Sequence, residues 1–361
     1  MAGYIERITG TIPHTNKSVD ISLDGKNLII TGGNGSGKTS FLRSAYDKTV
    51  LLIIKKQQAD LDGLQPIISK NIEFSSKFDD KKAVVLYFED KRLASIVEAR
   101  MAQGLRTTIQ ENKNTEHNQN LGYNLEQHLL NLKTRRSLAI TEDNDKSLAD
   151  KIDEWFTDFE NRLKYLFEDE STRLTFDSNK NKFSIKQNDK PAYTFQTLSA
   201  GYKAIFDVYA DLLMRTEYFE ISPTELEGVV FIDEIDSHLH ISLQRLILPF
   251  FADSFPNVQF IITTHSPFVL MSIKDTLVFD LANETLHSIS QVKSQNKILN
   301  EYLGIPTTMP VWAEISLTDI LNKYQSIEPN NISLSELKEE LEKAGLEEYF
   351  PDSMAKILET K

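Results

Sequence analysis

The stretch NLIITGGNGSGKTS, residues 27–40, decides the fold. Its first half is a short apolar run. Its second half satisfies G-x-x-x-x-G-K-[ST] from Gly32 to Thr39 and leads into the helical pattern of SFLRSAYDKTVLLII at 40–54. Gly33, Gly35 and Gly37 let the backbone curl until successive N–H groups point inward at phosphate oxygens, and the following helix adds the positive end of its dipole. Such a loop would hold a nucleoside triphosphate, ATP, through Asn34, Gly35, Ser36, Gly37, Lys38, Thr39 and Ser40. Lys38 would reach the β- and γ-phosphates, the Thr39 hydroxyl would ligate Mg²⁺, and Ser40 would meet the α-phosphate through its N–H or hydroxyl. A glycine-rich turn that merely joins strand to helix is the bland alternative, and it leaves Lys38-Thr39 unexplained.

Working outward, GVVFIDEID at 228–236 is an apolar strand ending in two carboxylates. Acids at the carboxyl end of a buried strand lie beside the crevice of an α/β sheet. Asp233 would hold Mg²⁺ directly or through water, and Glu234 would orient or deprotonate the attacking water. FIITTHSPF at 260–268 repeats the layout and delivers Thr263, Thr264 and His265 to the same edge, where a histidine can hydrogen-bond the γ-phosphate or the water.

The flanking pattern predicts an α/β chain. Strands YIERITGTI, SVDISL and NLII open it, AVVLYF at 83–88 reads as a buried strand, and helices alternate with strands from 196 to 290, implying a mainly parallel sheet. Between about 93 and 170, IVEARM, LEQHLLNLK and LADKIDEWFTDFENRLKYLF carry helical spacing around a polar tract at 111–120 that reads as a mobile loop. Residues 173–187 read as two strands around a turn at Ser178–Asn181. The expected divisions are an N-terminal lobe at 1–92, a helical insertion at 93–172, a C-terminal lobe at 173–290 and a helical tail at 291–361. The tail helix, opened by Ser333 or Ser335 and ended near Gly345 with Pro351 beyond, aligns Leu334, Leu337, Leu341 and Leu346 in a stripe that docks on its own head or on a partner.

With 361 residues, 40% hydrophobic and 26% charged, a sizeable core is available. No apolar run reaches the roughly 18 residues of a membrane span, and no signal-peptide core opens the chain, so a cytoplasmic location without membrane contact is expected. The absence of cysteine excludes disulfides and thiolate chemistry. A net charge of −13 repels nucleic acid at long range, so any such contact needs a local basic patch. Lys133, Arg135 and Arg136, or Lys81, Lys82, Lys91 and Arg92, could form one, with a solvated face as the plainer reading because no aromatic platform is interleaved.

Together with Leu198-Ser199-Ala200-Gly201, these pieces resemble the ABC ATPase superfamily, in particular the soluble branch of SMC proteins, RecF and the OLD-type ATPases. The resemblance implies an ABC ATPase head with an antiparallel β subdomain, in which LSAG is the signature peptide and Ser199 and Gly201 contact the γ-phosphate held by a second copy. Lys38, Glu234 and His265 would then be catalytic, Thr39 and Asp233 metal-binding, and ATP with Mg²⁺ would be sandwiched in a homodimer. DEIDSHLH at 233–240 and TTHSPFVL at 263–270 look OLD-type, and Ile235 and His240 depart from the transporter pattern. The family's Gln after the second strand is not evident: Glu89 or Asp90 stands there, and Gln57 and Gln58 come earlier. No nuclease-like segment follows the last predicted strand. The chain thus resembles stand-alone ATPase subunits of bacterial anti-phage systems such as Septu, PARIS and some retrons, which work with a separate effector nuclease or toxin and a nucleic-acid or phage-protein trigger. The alternative is a DNA repair or recombination ATPase.

Overall fold

Strands β1 (Ile5–Thr11) and β2 (Ser18–Ser22) pair antiparallel ahead of the apolar run, which forms β3 (Leu28–Thr31), and the glycine loop then enters α1 (Lys38–Ile53). The computed structural model describes residues 3–15, 17–57, 62–92, 95–274, 276–289, 311–325 and 334–346. Next come β4 (Leu64–Ile68), α2 (Asn71–Asp79) and β5 (Ala83–Phe88). The sequence pattern predicts neither β4 nor α2. β4 is an edge strand paired only with β1, and there Pro66 loses no ladder hydrogen bond by lacking an N–H.

The insertion holds α3 (Leu105–Asn112), α4 (Leu125–Thr141) and α5 (Lys146–Phe167). Two expectations fail here. Residues 96–100 are not helical, because Ile96 and Ala99 mimic helical spacing while each is buried separately from an irregular segment. The polar tract at 111–120 is pinned rather than free: Arg215 Nη2 donates to the carbonyls of His117 (3.1 Å) and Gln119 (2.8 Å), and Asn120 Nδ2 donates to that of Asp207 (3.1 Å). An antiparallel sheet follows, β6 (Arg173–Asp177), β7 (Lys182–Gln187) and β8 (Lys190–Tyr193), its first two strands turning at the predicted place.

The C-terminal half supplies α6 (Ala200–Phe219), β9 (Glu227–Ile232), α7 (Ile241–Gln244), α8 (Ile247–Ser254), β10 (Val258–Thr263), α9 (Pro267–Leu270), β11 (Thr276–Asp280) and β12 (Thr285–Ile289). The main sheet runs β12-β11-β3-β10-β9-β5, parallel throughout except for β12. Side chains alternate between two cores. Leu28, Ile30, Val229 and Phe231 face the core that includes Phe41 and Leu42 of α1, whereas Ile29, Val230 and Ile232 face the one that includes Phe206 of α6 and Leu129 of α4. A parallel sheet needs such cover on both faces, and each fully buried Leu or Phe contributes about 1.5–3 kcal/mol relative to exposure. The fold is therefore mixed α/β with a mainly parallel central sheet.

The chain divides into units at 1–304 and 305–361. In the second, α10 (Val311–Gln325) and α11 (Leu334–Lys343) pack on one another, and Leu337, Leu341 and Leu346 of the expected stripe are buried. Gly345, at φ 68°, follows the last turn, as a helix stop does. Ser333 and Pro351, like the side chains of Leu334 and Ser335, lie outside the described residues.

Candidate functional site

The carboxyl ends of β3, β9 and β10 open at one edge, and the loop 32–37 crosses it. Gly37 occupies the left-handed region at φ 100° as the residue before α1, a conformation that disfavours any side chain. No side chain caps α1, so the first-turn N–H groups of Lys38, Thr39 and Ser40 are open to an external acceptor. A Cβ on Gly33 or Gly35 would meet nothing within 4 Å, and Ser36 Oγ is buried with no protein partner. The loop thus presents a cradle of donors, which fits a phosphate chain. Asn34 is exposed on it, and Thr39 and Ser40 line a cavity of about 750 Å³ bounded by residues 11–15.

Lys38 is buried. Its Nζ donates to the carbonyls of Gly32 (3.0 Å) and Gly33 (3.1 Å), so the ammonium closes the loop on itself. Burial holds its pKa below the ordinary lysine value, against the opposing pull of Glu234, Asp233 and Asp236. Those charges and Lys38 therefore share one field. His265 shares it too: burial and the Lys38 charge depress its pKa below 6.5, while Asp236 and Glu234 oppose, leaving the imidazole neutral at pH 7.

The acid pair is fixed by its neighbours. Thr263, at the end of β10, donates its hydroxyl to Asp233 Oδ1 (2.5 Å), and Thr263 Oγ1 in turn accepts the Glu234 N–H (2.7 Å). Glu234 itself sits at φ 43°, and its carboxylate accepts from Ser237 Oγ at 3.0 Å. Thr264 donates to Asp236, an acid that the motif reading missed although it stands in the same DEID run. Among the described residues, no group of three His, Cys, Asp or Glu side chains could hold a metal unaided. The donor set suits an ion that brings phosphate and water ligands with it, as Mg²⁺ does.

At the end of β5 the structure departs from expectation. Glu89 is exposed and the Asp90 carboxylate accepts the Lys91 N–H, and among the described contacts neither side chain reaches the acid pair. Gln57 lies beyond the end of α1, with its N–H on the Leu51 carbonyl, and Gln58 is outside the described residues. Arg92 reaches the pair instead. Its sequence neighbours Lys81, Lys82 and Lys91 suggest a surface basic patch, yet it is 2% exposed and donates to the carbonyls of Asp233 (2.5 Å) and Glu234 (2.8 Å). The other basic cluster is engaged within the chain: Arg136 with Asp153, Arg135 with Asp143, and Lys133 over the Phe156 ring at 4.0 Å.

Ser199 precedes α6, is exposed, and makes no side-chain cap hydrogen bond. None of the described contacts joins it to Lys38, Asp233, Glu234 or His265. Gly201 is buried, and a Cβ there would lie 3.1 Å from the His238 carbonyl. The close approach expected of this glycine is thus to the segment after the acid pair. His240 accepts the Ser242 N–H ahead of α7 and is exposed.

The family described as "AAA domain, putative AbiEii toxin, Type IV TA system" matches residues 28–272, from β3 through α9. The Retron Ec83 probable ATPase of Escherichia coli is 28% identical over 273 residues, covering 68% of this chain and 48% of that protein. The Retron Vc95 probable ATPase of Vibrio cholerae is 34% identical over 116 residues, 31% of this chain and 20% of that protein. Septu protein PtuA of Bacillus mycoides is 29% identical over 159 residues, 40% of this chain and 21% of that protein. The matched stretch thus spans about half of the first relative's length and about a fifth of the other two. The solved SMC head domain from Thermotoga maritima aligns over 81% of this chain and all of its own, with 12% identity and a TM-score of 0.38.

Proposed function

This chain belongs to the family of AAA domains described as putative AbiEii toxin of a type IV TA system, and we propose that it hydrolyses Mg²⁺–ATP at the edge formed by residues 32–40, 233–236 and 263–265. The observation that carries this reading is the common field of Lys38, Asp233, Glu234, Asp236 and His265 above an uncapped helix N-terminus. Lys38 would exchange the Gly32 and Gly33 carbonyls for phosphate oxygens, and N–H groups of the loop would orient the phosphate chain. Mg²⁺, when bound with the nucleotide, supplies charge neutralisation on the phosphates, with Thr39 and Asp233 as its protein ligands. Glu234 orients or deprotonates the attacking water, and neutral His265 hydrogen-bonds the same region.

The site is half of a shared one in this reading. Ser199 is exposed with its hydroxyl uncommitted, which suits contact with the γ-phosphate held by a second copy. ATP then acts as the ligand that shifts the population toward the closed homodimer, and hydrolysis reopens it. The likeness to the retron probable ATPases and to Septu protein PtuA supports a place in anti-phage defence, sensing infection and scaffolding or restraining a separate nuclease or toxin. A cytoplasmic setting fits a chain in which no described helix is long and apolar enough to cross a membrane. Size-exclusion chromatography of Glu234→Gln with ATP tests the mechanism: an ATP-dependent dimer that wild-type protein loses on turnover is expected, and a variant that remains monomeric sinks the sandwich. Binding of duplex DNA at physiological salt without any partner would instead favour a repair ATPase.

A further inference from the structure

Arg92 is a buried guanidinium whose hydrogen bonds go to main-chain carbonyls. It leaves the end of β5, where Glu89 and Asp90 turn outward, and spans to the neighbouring strand end, donating through Nη1 to the carbonyls of Glu89 and Asp233 and through Nη2 to that of Glu234. The strands it bridges are in register, with Phe88 opposite Ile232 and the Asp233 N–H on the Phe88 carbonyl at 2.9 Å. Burial costs the cation solvation, and the charges of Asp207, Asp236, Asp233 and Asp90 offset this. A buried arginine is expensive to keep, and a strand end that needed only a cap would be served by water or a neutral donor.

What the fork fixes is the peptide between two functional acids. Glu234 is left-handed at φ 43°, an uncommon conformation for a residue with a side chain, so the turn needs outside constraint. Thr263 grips it from β10, through one carboxylate oxygen and one N–H. Arg92 grips the opposite side of the same two residues, through their carbonyls. With both holds in place, the Asp233 and Glu234 side chains leave the backbone in fixed directions.

We propose that Arg92 is a positioning residue that sets the geometry of Asp233 and Glu234 toward the bound metal and water by clamping their carbonyls from β5. The proposal rests on the ATPase reading above. Lysine keeps the charge and most of the stem but offers a point donor in place of the planar fork, so it cannot hold both carbonyls in one geometry.

The test compares wild type, Arg92→Lys, Arg92→Gln and Glu234→Gln. Mn²⁺ affinity is read by electron paramagnetic resonance with a non-hydrolysable ATP analogue, analogue affinity is read in EDTA, and kcat is measured separately. Positioning predicts metal-free analogue affinity within roughly two-fold of wild type, Mn²⁺ affinity weakened several-fold, and kcat lowered by about ten-fold or more. Unchanged Mn²⁺ affinity and kcat in Arg92→Lys and Arg92→Gln would overturn the proposal, as would loss of metal-free analogue binding in step with kcat. If Arg92→Lys does not fold by circular dichroism, Arg92→Gln decides; failure of both assigns Arg92 to the fold alone and also overturns it. Wild type and Glu234→Gln separate the two claims: a wild type that does not hydrolyse ATP ends the ATPase reading, a Glu234→Gln as active as wild type ends the role given to Glu234, and an inactive Glu234→Gln beside unaffected Arg92 variants removes only the positioning role.

Discussion

Asp207→Asn should stabilise the protein at alkaline pH and lose that advantage in acid. Asp207 lies on α6 and lines the cavity that Arg92 also borders. Burial and the Asp211 carboxylate push its pKa from the ordinary 3.8 up to about 6, with Arg92 pulling the other way. The folded state therefore binds the proton more tightly than the unfolded chain. For a raised acid the cost of ionisation is fully present above the folded pKa and fades as pH falls toward the unfolded value. The penalty is about 3 kcal/mol at pH 8, roughly half that at pH 5, and well under about 1 kcal/mol at pH 4. Asparagine stands in for the neutral acid, so the variant should gain a large part of that figure at pH 8 and little at pH 4. Urea unfolding of both proteins across this range, read by circular dichroism, gives the difference directly. A variant no more stable than wild type at pH 8 would refute the reasoning, because the ionised carboxylate would then be a needed partner of Arg92. A gain that does not shrink in acid would also refute it.

Thr263→Val should destabilise by about 1–3 kcal/mol, because it strands a buried Asp233 oxygen and the Glu234 N–H together, whereas Thr263→Ser should stay near wild type; equal urea midpoints for Ser and Val would contradict this. His265 contributes stability above pH 6.5 that is lost as pH falls through its depressed folded pKa, since the unfolded chain takes the proton first. Thermal unfolding of wild type against His265→Gln should show a difference that narrows between pH 7.5 and pH 5.5, and a constant difference would count against the assignment.

The loop 32–40 and the strand 228–236 were legible because their chemistry is local: glycines, lysine and acids stand within a few positions of one another, and an apolar run precedes each. Thr263 was legible as to place but not as to partner, since its bonds to Asp233 and Glu234 exist only because β10 and β9 pair in parallel register. Arg92 was misread for the same reason. In KR at 91–92 the two residues look alike, yet Lys91 is exposed and Arg92 is turned inward by the end of β5. The tract 111–120 carries every compositional sign of a free loop, and what holds it comes from Asp207 and Arg215, some ninety residues away, with Asp211 accepting the N–H of Leu121 just past its end. Composition reports what a segment cannot bury, and it is silent on what a distant helix offers it.

That distant helix also runs from Ser199 to the neighbourhood of the acid pair. α6 begins beside exposed Ser199, packs Gly201 on the His238 carbonyl, passes Asp207 near Arg92, and farther on carries the buried Asp211–Arg215 pair at 2.9 Å. At 1.5 Å rise per residue, Asp207 stands roughly 12 Å along the axis from Ser199, within one unbroken helix. A regular helix moves as a body before it bends, so in the homodimer proposed above a contact that drew Ser199 toward the second copy would shift Asp207 with it. Arg92 would then feel the change as a moved countercharge, and its fork sits on the carbonyls of Asp233 and Glu234. By linkage such a coupling would run both ways: whatever orders the acid pair through Arg92 would also bias where Ser199 is presented.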